Sequence, residues 1–241
     1  MKKPIIIALT GVRGAGKDYV ADNLNNIFCE NPLNVVARFS FASIIVDIAS
    51  KLYNLPPEIF TDPNTKDAPL FDSIKEHAYL PDQANITPRW LLHCASNSVQ
   101  AQKGQVTYDA VRLRLNSLEK HSEGKQGIMI ISDYRRSRTN NFNGVWGDYT
   151  EEDFLEEYPH VSIRVENKIE ANIDAIPECP WYYGVPSSDT HLIYWNQRNC
   201  DNFYTLADNI MNQIELAEEF RIHTLNQNQI EPEGTWSHKK E

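Results

Sequence analysis

The apolar and polar positions divide this chain into short apolar runs, each followed by a segment whose apolar residues recur at helical spacing. Residues 4–10 (PIIIALT) are near-continuously apolar, which predicts a strand buried on both faces. From Gly16 to Cys29, Val20, Leu24, Ile27 and Phe28 fall on one helical face, and Asn31-Pro32 ends the element. Residues 34–40 (NVVARFS) read as a second strand. Residues 41–53 (FASIIVDIASKLY) read as a helix carrying Ile44, Ile45, Ile48, Ala49 and Leu52. The pattern then changes: Pro56-Pro57, Asp62-Pro63, Pro69 and Pro81 punctuate a polar stretch over 54–86, read as an insertion. Thr87-Pro88 opens a helix to about Gln102, with Thr87 as N-cap and Pro88 at its first position, and a further helix covers 108–120.

Residues 127–133 (GIMIISD) form a buried strand ending in a carboxylate. A polar loop at 134–149, a short acidic helix at 150–158 and a strand at 160–166 (HVSIRVE) follow. Residues 168–189, with three prolines and Trp181-Tyr182-Tyr183, read as a covering loop or lid. Residues 190–195 are the last strand and 202–220 the last helix, and 221–241 are a polar, frayed tail. Strands alternating with helices predict an α/β fold with a parallel sheet and right-handed crossovers, in one domain over 1–220.

Length and composition narrow the classes. A chain of 241 residues with 41% hydrophobic and 23% charged content suits one soluble domain. The formal net charge of -10 argues against bulk binding to a nucleic-acid polymer or an anionic membrane, which want a basic face. Cys29, Cys94, Cys179 and Cys200 are scattered without a C-x-x-C pair, so reduced thiols are expected rather than structural zinc or disulfides. Met1-Lys2-Lys3-Pro4 precedes too short an apolar run for a signal peptide, and no run reaches about 18 apolar residues. A cytoplasmic protein is expected.

The chemistry begins where the first strand meets the first helix. Gly11, four intervening residues, Gly16 and Lys17 have the G-x-x-x-x-G-K spacing of a phosphate-binding loop. Glycines let backbone N–H groups converge on phosphate oxygens, and the helix N-terminus adds partial positive charge. Gly11, Arg13, Gly14, Ala15, Gly16, Lys17 and Asp18 are therefore the candidate ATP-binding residues, with Lys17 reaching the β- and γ-phosphates. Arg13 points either to a phosphate or to solvent. Asp18 stands where Ser or Thr normally offers a hydroxyl to Mg²⁺, and a carboxylate also suits that hard cation. The expected fold is thus a P-loop NTPase-type parallel sheet flanked by helices, with a mainly helical acceptor-binding insertion at 54–122.

Asp133, at the end of an apolar strand, is either a second Mg²⁺ ligand beside the phosphate loop or the cap of a strand or turn. Arg135, Arg136 and Arg138 follow, and guanidinium forks suit the charge that develops in phosphoryl transfer, Arg135 first among them. Arg136 is a further substrate-binding candidate. Arg89, on the first turn of its helix, reads either as an acceptor-phosphate ligand or as half of a surface salt bridge. Asn196-Gln197-Arg198-Asn199 follows the last strand, where a purine can lie, and the 181–183 aromatics read as packing or as base stacking. His93, His160 and His191 have no spacing that makes them ligands or a triad.

Four places in the chain resemble the phage deoxynucleoside monophosphate kinases, relatives of the wider nucleoside monophosphate kinase group. They are G-V-R-G-A-G-K-D at 11–18, Phe39-Ser40-Phe41-Ala42 with Leu55-Pro56-Pro57-Glu58 and Lys66-Asp67 beyond, Thr87-Pro88-Arg89, and Asp133 followed by Arg135. The order of elements agrees over residues 4 to about 215. The resemblance implies transfer of the ATP γ-phosphate to a deoxynucleoside monophosphate with Mg²⁺, in host-cell cytoplasm if phage-encoded, and allows a homodimer. Two features depart from the family pattern. Leu91-Leu92-His93-Cys94-Ala95-Ser96-Asn97 lacks the expected Gln and Gly-Thr, and 168–189 is poor in arginine. Two rivals stand beside this expectation: a P-loop kinase for another small metabolite, such as dephospho-coenzyme A, and a nucleotide-binding regulatory protein without turnover.

Overall fold

The apolar run Ile5–Thr10 forms β1 and lies at the centre of a parallel sheet, with every residue buried. The computed structural model describes residues 2–12, 14–62, 64–70, 86–101, 105–135, 150–167, 190–196 and 203–228. After β1 come α1 (Lys17–Glu30), β2 (Asn34–Phe39), α2 (Phe41–Tyr53), α3 (Pro57–Thr61), α4 (Pro88–Ala101) and α5 (Gln105–His121). Then follow β3 (Gln126–Ile131), α6 (Glu151–Leu155), β4 (His160–Asn167), β5 (Leu192–Asn196) and α7 (Phe203–Asn228). The five strands lie in the order β2-β3-β1-β4-β5, all parallel, with Ile7 opposite both Ile130 of β3 and Val161 of β4.

Alternation along β1 explains its continuous apolar character. Ile5, Ile7 and Leu9 face one layer, with Val20, Leu24 and Phe28 of α1 and Leu206, Ile210 and Ile214 of α7. Ile6 and Ala8 face the other, with Phe41 and Ile44 of α2, Val111 and Leu115 of α5 and Phe154 of α6. A third apolar cluster joins Val46 and Ala49 of α2 to Leu55, Phe60 of α3, Leu70, Ile86, and Leu91 and Ala95 of α4. Helix α2 therefore has two apolar faces, one on the sheet and one on the helical region beyond it. The result is an α/β fold: a five-stranded parallel sheet between helical layers, with the glycine-rich turn joining the central strand to its crossover helix.

Most elements fall where the apolar pattern places them, and α2 has the expected bounds. Two differ. Helix α3 occupies part of the proline-punctuated stretch read only as an insertion in a mainly helical region, with Pro57 at its first position, where the missing N–H is harmless and φ is already helical. Helix α7 runs on to Asn228 instead of ending at 220, because no proline or glycine occurs before Pro232. The segment 168–189, with the 181–183 aromatics, lies outside the described residues, as do Arg13, Arg136, Arg138 and 197–199. Among the described residues no helix is long and apolar enough to cross a membrane.

Candidate functional site

Gly11 follows β1 with φ 134°, a conformation side chains rarely adopt, and a Cβ there would sit 2.3 Å from the Val165 carbonyl oxygen of β4. Glycine is thus required by both backbone angle and space. Ala15 N–H donates to the Val12 carbonyl at 3.2 Å, tightening the turn. Gly16 then enters α1 in the left-handed region (φ 89°), and no side chain caps the helix. An N-terminus without a side-chain cap, after a glycine turn, is a prepared anion site.

Lys17 curls back over this turn. Its Nζ donates to the carbonyls of Gly11 and Val12, each at 2.9 Å. Its pKa is lowered to about 8, first by burial and then by the Arg135 guanidinium; Asp18 and Asp133 pull it up, and Arg164 adds to the lowering. Three cations therefore share one neighbourhood with the Asp18 and Asp133 carboxylates, and Arg164 is itself paired with Glu166.

Arg135 reaches this point through a tightly held segment. Ser132 N–H donates to the Phe39 carbonyl at 3.2 Å and Tyr134 N–H to the Leu9 carbonyl at 3.0 Å. Arg135 N–H donates to the buried Glu151 carboxylate at 2.6 Å. Glu151 opens α6, whose start is fixed by a reciprocal capping box between Thr150 and Asp153.

Arg164 is a site residue that sequence reasoning missed. It stands on β4 opposite Thr10, one residue before the glycine turn, with its side chain largely buried and paired with Glu166. The available signal was an arginine and a glutamate two apart in a strand that alternates polar and apolar residues, hence on one face of it. Its closeness to the loop depends on β4 lying beside β1, which spacing does not reveal.

The two candidate magnesium carboxylates have different surroundings. Asp133 is buried and accepts Phe41 N–H at 2.8 Å on Oδ1, with Ala42 N–H and Ser40 Oγ–H, each at 2.7 Å, on Oδ2. It caps a helix, α2, where the plainer sequence reading had it cap a strand or turn, while Oδ1 retains acceptor capacity. Asp18 is highly exposed and pairs with Arg38 at 3.3 Å, which also holds Asp22. Among the described residues no group of three or more His, Cys, Asp or Glu side chains could hold a metal by itself. That donor set suits Mg²⁺, which is commonly held by one or two carboxylates plus substrate phosphates.

Arg89 lies on the first turn of α4, which Thr87 caps by accepting Trp90 N–H at 3.1 Å. Its guanidinium grips the Asp67 carboxylate in a two-pronged pair, with Nη2 to Oδ2 at 3.0 Å, and its backbone N–H donates to Lys66 at 2.9 Å. The salt-bridge reading is thus the one observed; a bidentate grip on a carboxylate is also the geometry that receives a phosphate.

No protein-family model matches the chain, and no curated protein matches it. Among solved structures it is similar to "Crystal structure of APE1195", at 14% identity and TM-score 0.41, over 90% of this chain and 97% of that one. A likeness at that level identifies neither substrate nor activity.

Proposed function

We propose that the protein is a Mg²⁺-dependent nucleotide kinase that transfers the γ-phosphoryl group of ATP to a deoxynucleoside monophosphate. One observation carries the reading. Lys17, folded over a glycine turn at a helix N-terminus without a side-chain cap, lies within the electrostatic reach of Arg135 and Arg164. Such a site favours a polyphosphate over a single carboxylate, because several cations and a helix terminus act together.

In this reading Lys17 leaves the Gly11 and Val12 carbonyls for the ATP phosphates, and the backbone of residues 11–18 cradles them. Arg135 and Arg164 neutralise charge on the transferred group. Arg89 exchanges Asp67 for the acceptor phosphate, an oxygen of which attacks the γ-phosphorus as the bond to the β-bridging oxygen breaks, leaving ADP. Asp18 and Asp133 are the carboxylates that would hold Mg²⁺, and the ion would supply neutralisation of the phosphate charge. No covalent nucleophile is required, since positioning and electrostatics supply the rate enhancement.

The test is coupled ADP release with ATP and Mg²⁺ against each of the four deoxynucleoside monophosphates, with dephospho-coenzyme A alongside. Release that depends on a deoxynucleotide supports the reading. Release with dephospho-coenzyme A alone transfers it to another metabolite. ATP binding with no acceptor-dependent release replaces it with a regulatory nucleotide binder.

A further inference from the structure

The geometry points to Asp133 and Ser40 as positioning residues that fasten α2 to the sheet beside Lys17, so that nucleotide at the glycine turn orders the helical region of α3 and α4. The nucleotide rests on the function proposed above; the mechanical link does not.

The first observation is a misdirected cap. Ser40 occupies the N-cap position of α2 in extended conformation, where a serine hydroxyl normally accepts an amide of its own first turn. It makes no such bond. Its hydroxyl instead donates to Asp133, which accepts the Phe41 and Ala42 amides in its place. The cap of α2 is therefore supplied from the end of β3. A carboxylate accepting charge-assisted bonds in a buried place holds its partners more firmly than a local hydroxyl.

The second observation is the position of Asp133 within a run of anchored residues. Ser132 is tied to β2, Tyr134 to β1 and Arg135 to Glu151, while the Arg135 guanidinium acts on Lys17. A shift of Arg135 toward phosphate would thus be transmitted within two residues to the cap of α2. The third observation is the double face of α2. Phe41 and Ile44 pack on the sheet, whereas Val46 and Ala49 pack with Phe60, Leu91 and Ala95. Packed interfaces of this kind move as units.

Amide hydrogen exchange on the full chain, with and without Mg·ATP, tests the link. In the wild type, Mg·ATP slows exchange at 14–20 and also at 57–61 and 88–95. Ser40→Ala removes one arm of the junction and leaves the Asp133 carboxylate intact. That variant keeps ATP affinity within about twofold and protection at 14–20, whereas the slowing at 57–61 and 88–95 falls by about fivefold or more. Ser40→Thr, which restores a hydroxyl, recovers it. Undiminished slowing at 57–61 and 88–95 in Ser40→Ala, or none there in the wild type, overturns the proposal. Kinase activity is judged separately by ADP release: absent turnover with an intact exchange response removes the kinase reading and leaves the mechanical link standing.

Discussion

Replacing Gly11 with alanine, beside the same change at Gly14, separates two contributions to the glycine turn. Both glycines have positive φ, 134° and 84°. They differ in space: an added Cβ at Gly11 meets the Val165 carbonyl oxygen at 2.3 Å, whereas one at Gly14 meets nothing within 4 Å. Real Cβ atoms essentially never approach closer than 3.0 Å, so β4 or the turn must shift by at least about 0.7 Å. Val165 is fully buried and its strand is hydrogen-bonded between β1 and β5, so the shift is resisted on both sides. Backbone strain contributes about 1–2 kcal/mol at either glycine, and overpacking adds about 1–3 kcal/mol at Gly11 alone. Gly11→Ala is therefore expected to lose about 3 kcal/mol, or roughly 6–12 °C in Tm for a chain of this size, and Gly14→Ala about 1 kcal/mol. Urea unfolding followed by circular dichroism measures both. Equal losses in the two variants, or a loss below about 1 kcal/mol at Gly11, would refute the close approach of β4 to the turn.

Three further expectations follow from the same geometry. Because Lys17 titrates near 8 instead of 10.5, the unfolded chain binds more protons between those values, so folding stability from this group rises with pH across that window. ATP affinity, which needs the charge, moves the other way and weakens by up to about tenfold per pH unit above 8; calorimetric titration at pH 7 to 9.5 that shows a flat profile contradicts it. Arg89→Ala raises the acceptor KM by about tenfold while costing under about 1 kcal/mol of stability, because its pair with Asp67 is substantially exposed; an unchanged KM removes Arg89 from the acceptor site. At the opposite end of the sheet, Nδ1 of His191 accepts Ser162 N–H at 3.0 Å, so protonation there breaks a strand-edge bond. Burial, and then His160, hold the His191 pKa below 6.5, so this stability is fully present above 6.5 and is lost as pH falls below 6.5 through the lowered folded-state value. His191→Gln, whose amide oxygen can accept the same bond without titrating, flattens that part of the acid melting curve, and an unaltered curve contradicts the assignment.

How much was legible in the sequence depends on how far apart the partners lie. The strand, glycine turn and helix over residues 5–30 are local, and the Ile5–Leu9 run, the G-x-x-x-x-G-K spacing and Asn31-Pro32 mark them directly. The Thr87-Pro88 start of α4 is equally local. The 54–122 region was legible as mainly helical but the bounds of α3 were not, because prolines that usually break structure here stand at a position where one starts it. The roles of Asp133 and Arg164 depend on sheet order. Asp133 meets α2 because β3 lies beside β2, and Arg164 meets the turn because β4 lies beside β1. No spacing rule joins residues 40 and 133, and an aspartate after an apolar strand looks the same whether it faces a metal or a helix terminus. The first-turn position of Arg89 suits a carboxylate or a phosphate equally, and the choice between them lay in Asp67, which no periodicity pairs with it.

The role proposed for Lys17 and its loop is to bind ATP for transfer to a deoxynucleoside monophosphate. Acceptor-dependent ADP release by the wild type and by Lys17→Ala tests it most directly, with circular dichroism confirming that the variant folds. Release is expected from the wild type with at least one of the four deoxynucleotides, reduced about 10²- to 10³-fold in Lys17→Ala at unchanged fold. Near-wild-type turnover in Lys17→Ala, or ATP binding by the wild type with no acceptor-dependent release, would contradict it.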